Sequence, residues 1–361
     1  MGSIKQNLAN NILSGGKFDA TDLDGTIPNT NINDNSIDNV TSFPAAGSGI
    51  PSVASDPPSP SAGDVWYNTT SNAFKYLGLT TVGAWATGGN MNTSRSDLAG
   101  AGTQASALVI AGYPNRSIVE SYDGTSWTEV GDLNTGRESS AGFGQSNTAA
   151  ITAGGRNPGN LSATESWNGS SWTEVNNLNT ARFSFNISGA GTQTSGLVTG
   201  AYPPSSLTES WNGTSWTEVA DLNTARAQGS MTGSSNTNAI VTAGSPGDIA
   251  NAETWNGTSW TEVADLNTGR YSAAMSGTST AALLFGGRNP PALGNTENWN
   301  GTSWTEDTDL SSARFDLAGG NYAASTAAIA FAGKNPPTTF FNATEEWTGA
   351  GSPVTKTVTT A

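Results

Sequence analysis

An all-β repeat protein is the class that this 361-residue chain predicts, on three observations. A sixteen-residue phrase, WNGTSWTEVADLNTAR at 211–226, returns as SYDGTSWTEVGDLNTGR (121–137), SWNGSSWTEVNNLNTAR (166–182), TWNGTSWTEVADLNTGR (254–270) and NWNGTSWTEDTDLSSAR (298–314). Its second Trp falls at Trp127, Trp172, Trp216, Trp260 and Trp304, at intervals of 45, 44, 44 and 44 residues, and a fixed period in that range marks a repeat architecture. Each period also holds four short runs with strand character, separated by Gly, Asn and Ser.

The first run of a unit follows the repeat Arg and is rich in Ser, Gly and Ala, as in RAQGSMTGS (226–234). The second is apolar and ends in glycine: ALVIAG (107–112), AAITAGG (149–155), SGLVTG (195–200), NAIVTAG (238–244), AALLFGG (281–287) and AAIAFAG (327–333). The phrase itself supplies the third and fourth runs as a hairpin. Asn212-Gly213 suits a two-residue type I′ turn, and a four-residue loop, Asn-Gly-Thr-Ser, is the other option. Either way Trp211 and Trp216 share a sheet face with Glu209 and Glu218. DLNTAR then serves as the passage to the next unit. Small residues in the first two runs and aromatics in the last two suit a propeller blade, narrow at the axis and wide at the rim.

These features resemble kelch repeats, whose pattern is an apolar run, paired glycines, an aromatic, a Trp, a small apolar residue and an Arg. Here those elements are LLFGG (283–287), Trp299, Trp304, Leu310 and Arg314. The spacing from the aromatic to the Trp is short, and the second glycine is intact only at Gly154-Gly155 and Gly286-Gly287. The resemblance implies architecture alone, since one fold hosts unrelated functions.

Blade number follows from counting. The repeat Arg stands at Arg95, Arg137, Arg182, Arg226, Arg270 and Arg314, and each opens one unit. The last unit ends at Glu346-Trp347 without a following TSWTEV, and Trp85 in AWATGGNMNTSR (84–95) stands where Trp216 stands. The expected fold is therefore a six-bladed kelch-like β-propeller over 63–361, with the N-terminal Trp85 strand completing the blade begun after Arg314. A seven-blade alternative makes a partial blade from 64–78 with Trp85 and finishes the sixth with VTKTVTT (354–360).

Eleven of the twelve Trp lie in the phrase or its terminal equivalents. Burying one removes about 150–250 Å² from water, up to roughly 4–6 kcal/mol at about 25 cal/mol per Å². The Trp rows read as core rather than as sugar-stacking platforms.

Residues 1–62 differ in kind. They are rich in Asn and Asp, with Ile27, Ile32 and Ile37 in register, and end in SVASDPPSPSAGD (52–64), which reads as an extended Pro/Ser linker. Such a polar segment orders only on a partner or on copies of itself. Together LDGTIPNTNINDNSIDNVTSFPAAG, GDVWYNTTSNAFKY (63–76) and the NGTSWTEV repeats look like structural proteins of tailed bacteriophages, especially those of marine cyanobacteria. That resemblance implies a short N-terminal segment docked on the particle and the remainder displayed outward. It places the protein in the virion, made in the host cytoplasm.

Charge narrows the function. Net charge is −15, which leaves little to neutralise phosphates, so nucleic acid is not an expected partner. There is neither Cys nor His, the residues most metal sites and catalytic triads use. No cofactor, metal or catalytic residue is expected. No run is long enough to cross a membrane as a helix, and MGSIKQNLAN is too polar for a signal peptide. Every well-placed carboxylate looks repeated: Glu120, Glu165, Glu209, Glu253, Glu297 and Glu345 before the outer aromatic, and Glu129, Glu174, Glu218, Glu262 and Glu306 after the second Trp. A group present in every blade serves the blade, and the first series is expected to pair with the repeat Arg series. SYDGTSW (121–127) is one residue short of a sialidase-type Asp-box. The NGT and NGS triplets fit glycosylation sequons, but the turn explains them.

What varies are the loops after the apolar runs: GYPNRS (112–117), GGRNPGN (154–160), GAYPPSS (200–206), GSPGDIAN (244–251), GGRNPPALGN (286–295) and AGKNPPTTFFN (332–342). They should cluster on one face of the ring. Tyr113, Arg116, Arg156, Tyr202, Arg288, Lys334 and Phe340 are the candidate contacts for a glycan or protein there. The expected function is a non-enzymatic virion protein: a tail or capsid fibre or decoration protein bound to other virion proteins through 1–62. Homo-oligomerisation through that arm and attachment of the propeller to a host surface are the further expectations. A glycan-degrading depolymerase, requiring a lone acidic pair in the central funnel, and a cellular kelch scaffold are the alternatives.

Overall fold

The computed structural model describes residues 50–357 except 62, 80–81, 185–188, 336–338 and 352. The isoleucines of the arm thus lie outside the described residues. The chain divides into two compact units, one spanning Gly83–Gly349 and the other taking the described residues up to Val82 with those from Ala350 on. Seven four-stranded sheets are present among the described residues, six in the first unit and one in the second.

In Gly83–Gly349 each sheet is an antiparallel meander. Blade 4 is representative: Ser230–Ser235, Asn238–Thr242, Ala252–Trp255 and Trp260–Val263 pair in that order. Blades 1, 2, 3 and 5 repeat it over 99–130, 141–175, 189–219 and 274–307. The first strand of each blade packs on the first strand of the next, and that of blade 6, Ala318–Gly319, returns to that of blade 1, Ala99–Thr103. The unit is a closed β-propeller. Small side chains let the inner strands approach, for a Cβ at Gly100 would stand 2.3 Å from the Gly319 carbonyl oxygen. Blade 2 departs with Phe143, and blade 3 makes room with Gly189 and Gly196, where an added Cβ would stand 2.3 Å from that ring.

Blade 6 is closed as the sequence predicts. Thr344–Thr348 pairs with Ala84–Thr87, with Trp347 opposite Trp85, the register that sets Trp211 opposite Trp216. The alternative matches the count of seven sheets, but its residues pair differently. In the other unit Val65–Asn68 pairs with Ala73–Leu79, which pairs with the C-terminal Pro353–Thr357 rather than with the Trp85 strand. The stretch read as a linker carries a strand of its own, Ser52–Val53, parallel to Val65–Asn68. The Asp56 carboxylate follows it and accepts from Lys75 Nζ at 2.8 Å, Asn68 Nδ2 at 2.7 Å and Trp66 Nε1 at 3.0 Å. Lys75, then Trp66 and Asn68, pull that carboxyl down to about 2.

The hairpin loop has four residues. Asn212 Oδ1 accepts from the backbone N–H of Thr214 at 2.9 Å and Ser215 at 2.8 Å, and only Gly213 of the dipeptide has positive φ, +91°. This Asx turn replaces the type I′ turn, because the side-chain acceptor supplies what a tight two-residue turn would otherwise bond through its backbone. Both Trp of the phrase are buried, their ring centroids 5.2 Å apart at Trp211–Trp216. The core lies between neighbouring blades: Phe143, Ile151 and Ala153 of blade 2 pack with Val198, Trp211 and Trp216 of blade 3.

The expected Glu–Arg pairing is present in all six blades. Arg95–Glu120 (3.0 Å), Arg137–Glu165 (2.5 Å), Arg182–Glu209 (2.5 Å), Arg226–Glu253 (2.7 Å), Arg270–Glu297 and Arg314–Glu345 are ion pairs with both side chains buried. The same carboxylates reach the preceding passage. Glu209 Oε2 accepts from Asn179 N (2.7 Å) and Nδ2 (2.8 Å), tying the end of blade 2 to blade 3. Each carboxylate thus bonds the Arg that opens its own blade and the passage leaving the preceding blade, through Asn in blades 1 to 5 and through Ser311 in blade 6.

Candidate functional site: the loop face of the propeller

One loop residue per blade is held at an equivalent place, paired through its backbone with the residue after the repeat Arg. Arg156 bridges Glu138, Ser245 bridges Ala227, Arg288 bridges Tyr271 and Lys334 bridges Phe315. In blades 1 and 3 the same pairing is made by Tyr113 N–H donating to Ser96 O (2.9 Å) and Tyr202 N–H to Phe183 O (2.7 Å). Five of the seven candidate residues therefore stand on one circle of equivalent positions, with Ser245 as the sixth member. Phe340 joins them by pairing with Lys334, and Arg116 by donating Nε–H to the Tyr113 carbonyl at 3.3 Å.

Inside that circle runs a second one. The residue two after each repeat Arg is Asp97, Ser139, Ser184, Gln228, Ser272 or Asp316, and five of them have positive φ, from +51° to +58°. Their N–H groups turn toward the neighbouring blade. Asp97 donates to Asp316 O (3.2 Å), Ser139 to Asp97 O (2.8 Å), Ser184 to Ser139 O (3.4 Å), Gln228 to Ser184 Oγ (2.6 Å), Ser272 to Gln228 O (2.9 Å) and Asp316 to Ser272 O (3.0 Å). The result is a closed hoop of six hydrogen bonds at one mouth of the axis.

The side chains on the two circles interlock. Arg156 pairs with Glu138 through Nε at 2.7 Å and covers the Phe183 ring, which also borders Tyr202. Arg288 covers Phe315 and borders Tyr271, its Cζ 4.9 and 6.0 Å from the ring centroids. Tyr113 and Phe340, from blades 1 and 6, stack with centroids 6.1 Å apart and planes 24° from parallel. Tyr113, Tyr202 and Phe340 are three of the four large apolar side chains exposed among the described residues.

Besides Glu138, two carboxylates here are not repeated, contrary to the expectation that every well-placed one is. Asp97 of blade 1 and Asp316 of blade 6 replace the Ser or Gln of the other blades, and Lys334 Nζ bonds one oxygen of each, at 3.0 and 2.7 Å. Both aspartates are buried, and burial followed by the Asp97 charge pushes the Asp316 carboxyl up to about 7. Burial opposes the Lys334 charge, but Asp316 and Asp97 outweigh it and raise that ammonium. The sequence carries the signal as RSD (95–97) and RFD (314–316) beside RES, RFS, RAQ and RYS, a departure within a repeated frame. Sequence reasoning misses Glu138, Phe183, Tyr271 and Phe315 likewise, because the variable loops do not reveal the residue that each loop pairs with.

Behind the hoop the axis is filled. The turn after Ala318–Gly319 crosses it and bonds each of the other five blades. Tyr322 N–H donates to Gly102 O (3.0 Å), Asn321 Nδ2 to Gly142 O (2.6 Å) and Gly189 O (2.8 Å), while Thr232 Oγ1 donates to Asn321 O (2.6 Å) and Ser276 Oγ to Gly320 O (2.8 Å). A cavity of about 20 Å³ remains beside Asn321, room for about one water.

Six meander sheets closed in a ring, with variable loops gathered round one mouth of the axis, make this chain a β-propeller protein. Among solved structures it is similar to the one titled "Structure of YjhT", with 11% identity, 70% of this chain and 94% of that chain covered, and a TM-score of 0.58. That likeness shows the fold alone. Neither a protein-family profile nor a curated protein matches the sequence. Among the described residues no cluster of three or more metal-ligating side chains occurs, and no helix is long and apolar enough to cross a membrane.

Proposed function

We propose that this protein is a non-enzymatic bacteriophage virion component, a tail or capsid fibre or decoration protein that is anchored by residues 1–62 and presents the propeller's loop face to a host surface. The observation that carries the recognition half is the loop face itself. Exposed aromatics and the non-repeated cations share one circle of equivalent positions there, while the rest of each blade repeats a buried design. The anchoring half rests on the composition of the arm and on the likeness of the arm and repeats to phage structural proteins. Homo-oligomerisation through the arm belongs to the same proposal.

The test uses phage particles lacking this protein. The full chain should bind them, and a chain beginning at Ile50, which retains Ser52–Val53 and Asp56, should not. Equal binding by both moves the anchor out of residues 1–49, and binding by neither overturns the virion reading.

A second reading has one observation in its favour, the lone acidic pair Asp97–Asp316 at the axis. A depolymerase would need those carboxylates to reach a glycosidic bond. Instead they are buried, bonded to Lys334, and backed by an axis that Asn321 fills. No reducing ends should be released from host surface polysaccharide; release that Asp316→Asn abolishes would replace the binding reading with the enzymatic one.

A further inference from the structure

The cations of Gly83–Gly349 can be accounted for one at a time. Six repeat arginines are matched by six glutamates, Arg156 by Glu138, and Lys334 by Asp97 and Asp316. Arg116 and Arg288 remain, with no carboxylate partner among the described residues. In a chain of net charge −15 two uncompensated guanidinium groups are the exception, and both stand on the loop face.

Their placement is ordered. Going round the ring from blade 5 through blade 6 to blade 1, one meets Arg288, then Phe340 stacked on Tyr113, then Arg116. Arg288 is half-buried against Phe315 and Tyr271, and its Nε is buried without a hydrogen-bond partner. Those rings hold the guanidinium in place before any ligand arrives, so little side-chain freedom is lost when its fork of donors meets an oxyanion. Tyr113 and Phe340 are 46% and 39% exposed, a platform with apolar ring surface turned to solvent.

We propose that this sector binds an anionic polysaccharide, with Arg288 and Arg116 taking its acidic groups and the Tyr113–Phe340 pair taking the C–H face of the sugar between them. The inference rests on the recognition reading above and narrows it to a ligand class. Charge-assisted bonds from a planar guanidinium suit carboxylate and sulfate alike, so uronates and sulfate esters are both admitted. A saccharide is favoured over an acidic peptide because exposed ring surface flanked by cations matches a flat C–H face carrying charged substituents. The acidic remainder of the chain repels such a polymer beyond contact range, so the site selects by contact rather than by long-range attraction.

The test is affinity electrophoresis of the full-length protein through gels containing alginate, dextran sulfate, neutral dextran or poly-L-glutamate. Retardation by alginate or dextran sulfate and not by neutral dextran is expected, and the stronger of the two identifies the acidic group. Arg288→Gln should weaken it by about tenfold or more, the loss that goes with one charge-assisted hydrogen bond. Tyr113→Ala should weaken it as well, and added salt should weaken it progressively. Retardation by neutral dextran equal to that by alginate, or insensitive to Arg288→Gln, overturns the anionic assignment and leaves host recognition standing. Preferential retardation by poly-L-glutamate overturns the saccharide. No retardation in any gel, with host adsorption intact, also overturns the inference alone; loss of adsorption too removes both readings.

Discussion

Among single residues, the pair Arg182–Glu209 shows why an ion pair can recur in every blade without being a site. Burial disfavours the charged guanidinium and lowers its pKa, and the Glu209 charge works against that. The same push takes Arg95 down to about 10. What stabilises the pair is a full set of partners: Arg182 also donates to Thr180 O and Leu207 O, and Glu209 accepts from Asn179 and Thr180. Glu209→Gln removes the counter-charge and leaves a buried cation, a change that costs about 3–5 kcal/mol. Urea denaturation should show the loss, and an unchanged midpoint would remove the pair from the account of stability. Asp123 makes the contrasting case at the rim. In the blade 1 turn it accepts from Ser126 and Thr125 N–H, which lowers its carboxyl; in blades 2 to 5 an uncharged Asn accepts the same two bonds.

Among the strands, Ala84–Thr87 does what the fourth strand of every other blade does, although its pairing partner lies at the far end of the unit. Trp85 sits opposite Trp347, meets Phe285 edge-on with centroids 5.0 Å apart, and donates Nε1–H to Thr296 Oγ1 of blade 5 at 3.0 Å. Trp216 makes the equivalent bond to Thr164 Oγ1 of blade 2. Trp85 is half-buried where Trp216 is buried, so Trp85→Ala should cost about 3 kcal/mol, the lower end of the range for a core aromatic. It should also expose the blade 6 backbone to hydrogen exchange before that of blade 3. Uniform exchange across the blades would show that closure by this strand is no weaker than a covalent hairpin.

Across the whole propeller, ring closure gathers charges that lie far apart in the chain. Asp97 opens blade 1, Asp316 opens blade 6, and Lys334 joins them. Because burial and Asp97 raise the Asp316 carboxyl to about 7, the folded protein holds a proton there that the unfolded chain releases near its ordinary 3.8. The contribution of this group to stability is thus complete below about pH 4 and is lost as pH rises toward 7. Asp316→Asn should flatten that part of the stability profile, measured by urea midpoints between about pH 4 and pH 8. A wild-type slope that the substitution leaves unchanged would assign it to other groups. Asp56 acts with the opposite sign in more acid solution, since its carboxyl is lowered to about 2.

Short-range turn chemistry and residues recurring at a fixed spacing are enough to give the period, the four-strand unit, the hairpin, the Glu–Arg pairing and the use of Trp85 to close blade 6. Each repeat supports the reading of the others, which a single copy of WNGTSWTEV could not do. The same comparison of repeats marks the variable loops that carry Tyr113, Arg156, Tyr202, Arg288 and Lys334. The equivalence of these five positions became visible in the folded ring alone. So did the lack of a carboxylate partner for Arg116 and Arg288 among the described residues, the two partners of Lys334, and the filling of the axis by Asn321. Those facts depend on contacts between blades, such as Lys334 with Asp97 at a separation of 237 residues. Local propensity and periodicity carry no information about such contacts, because they join residues far apart in the chain that only the closed ring brings together.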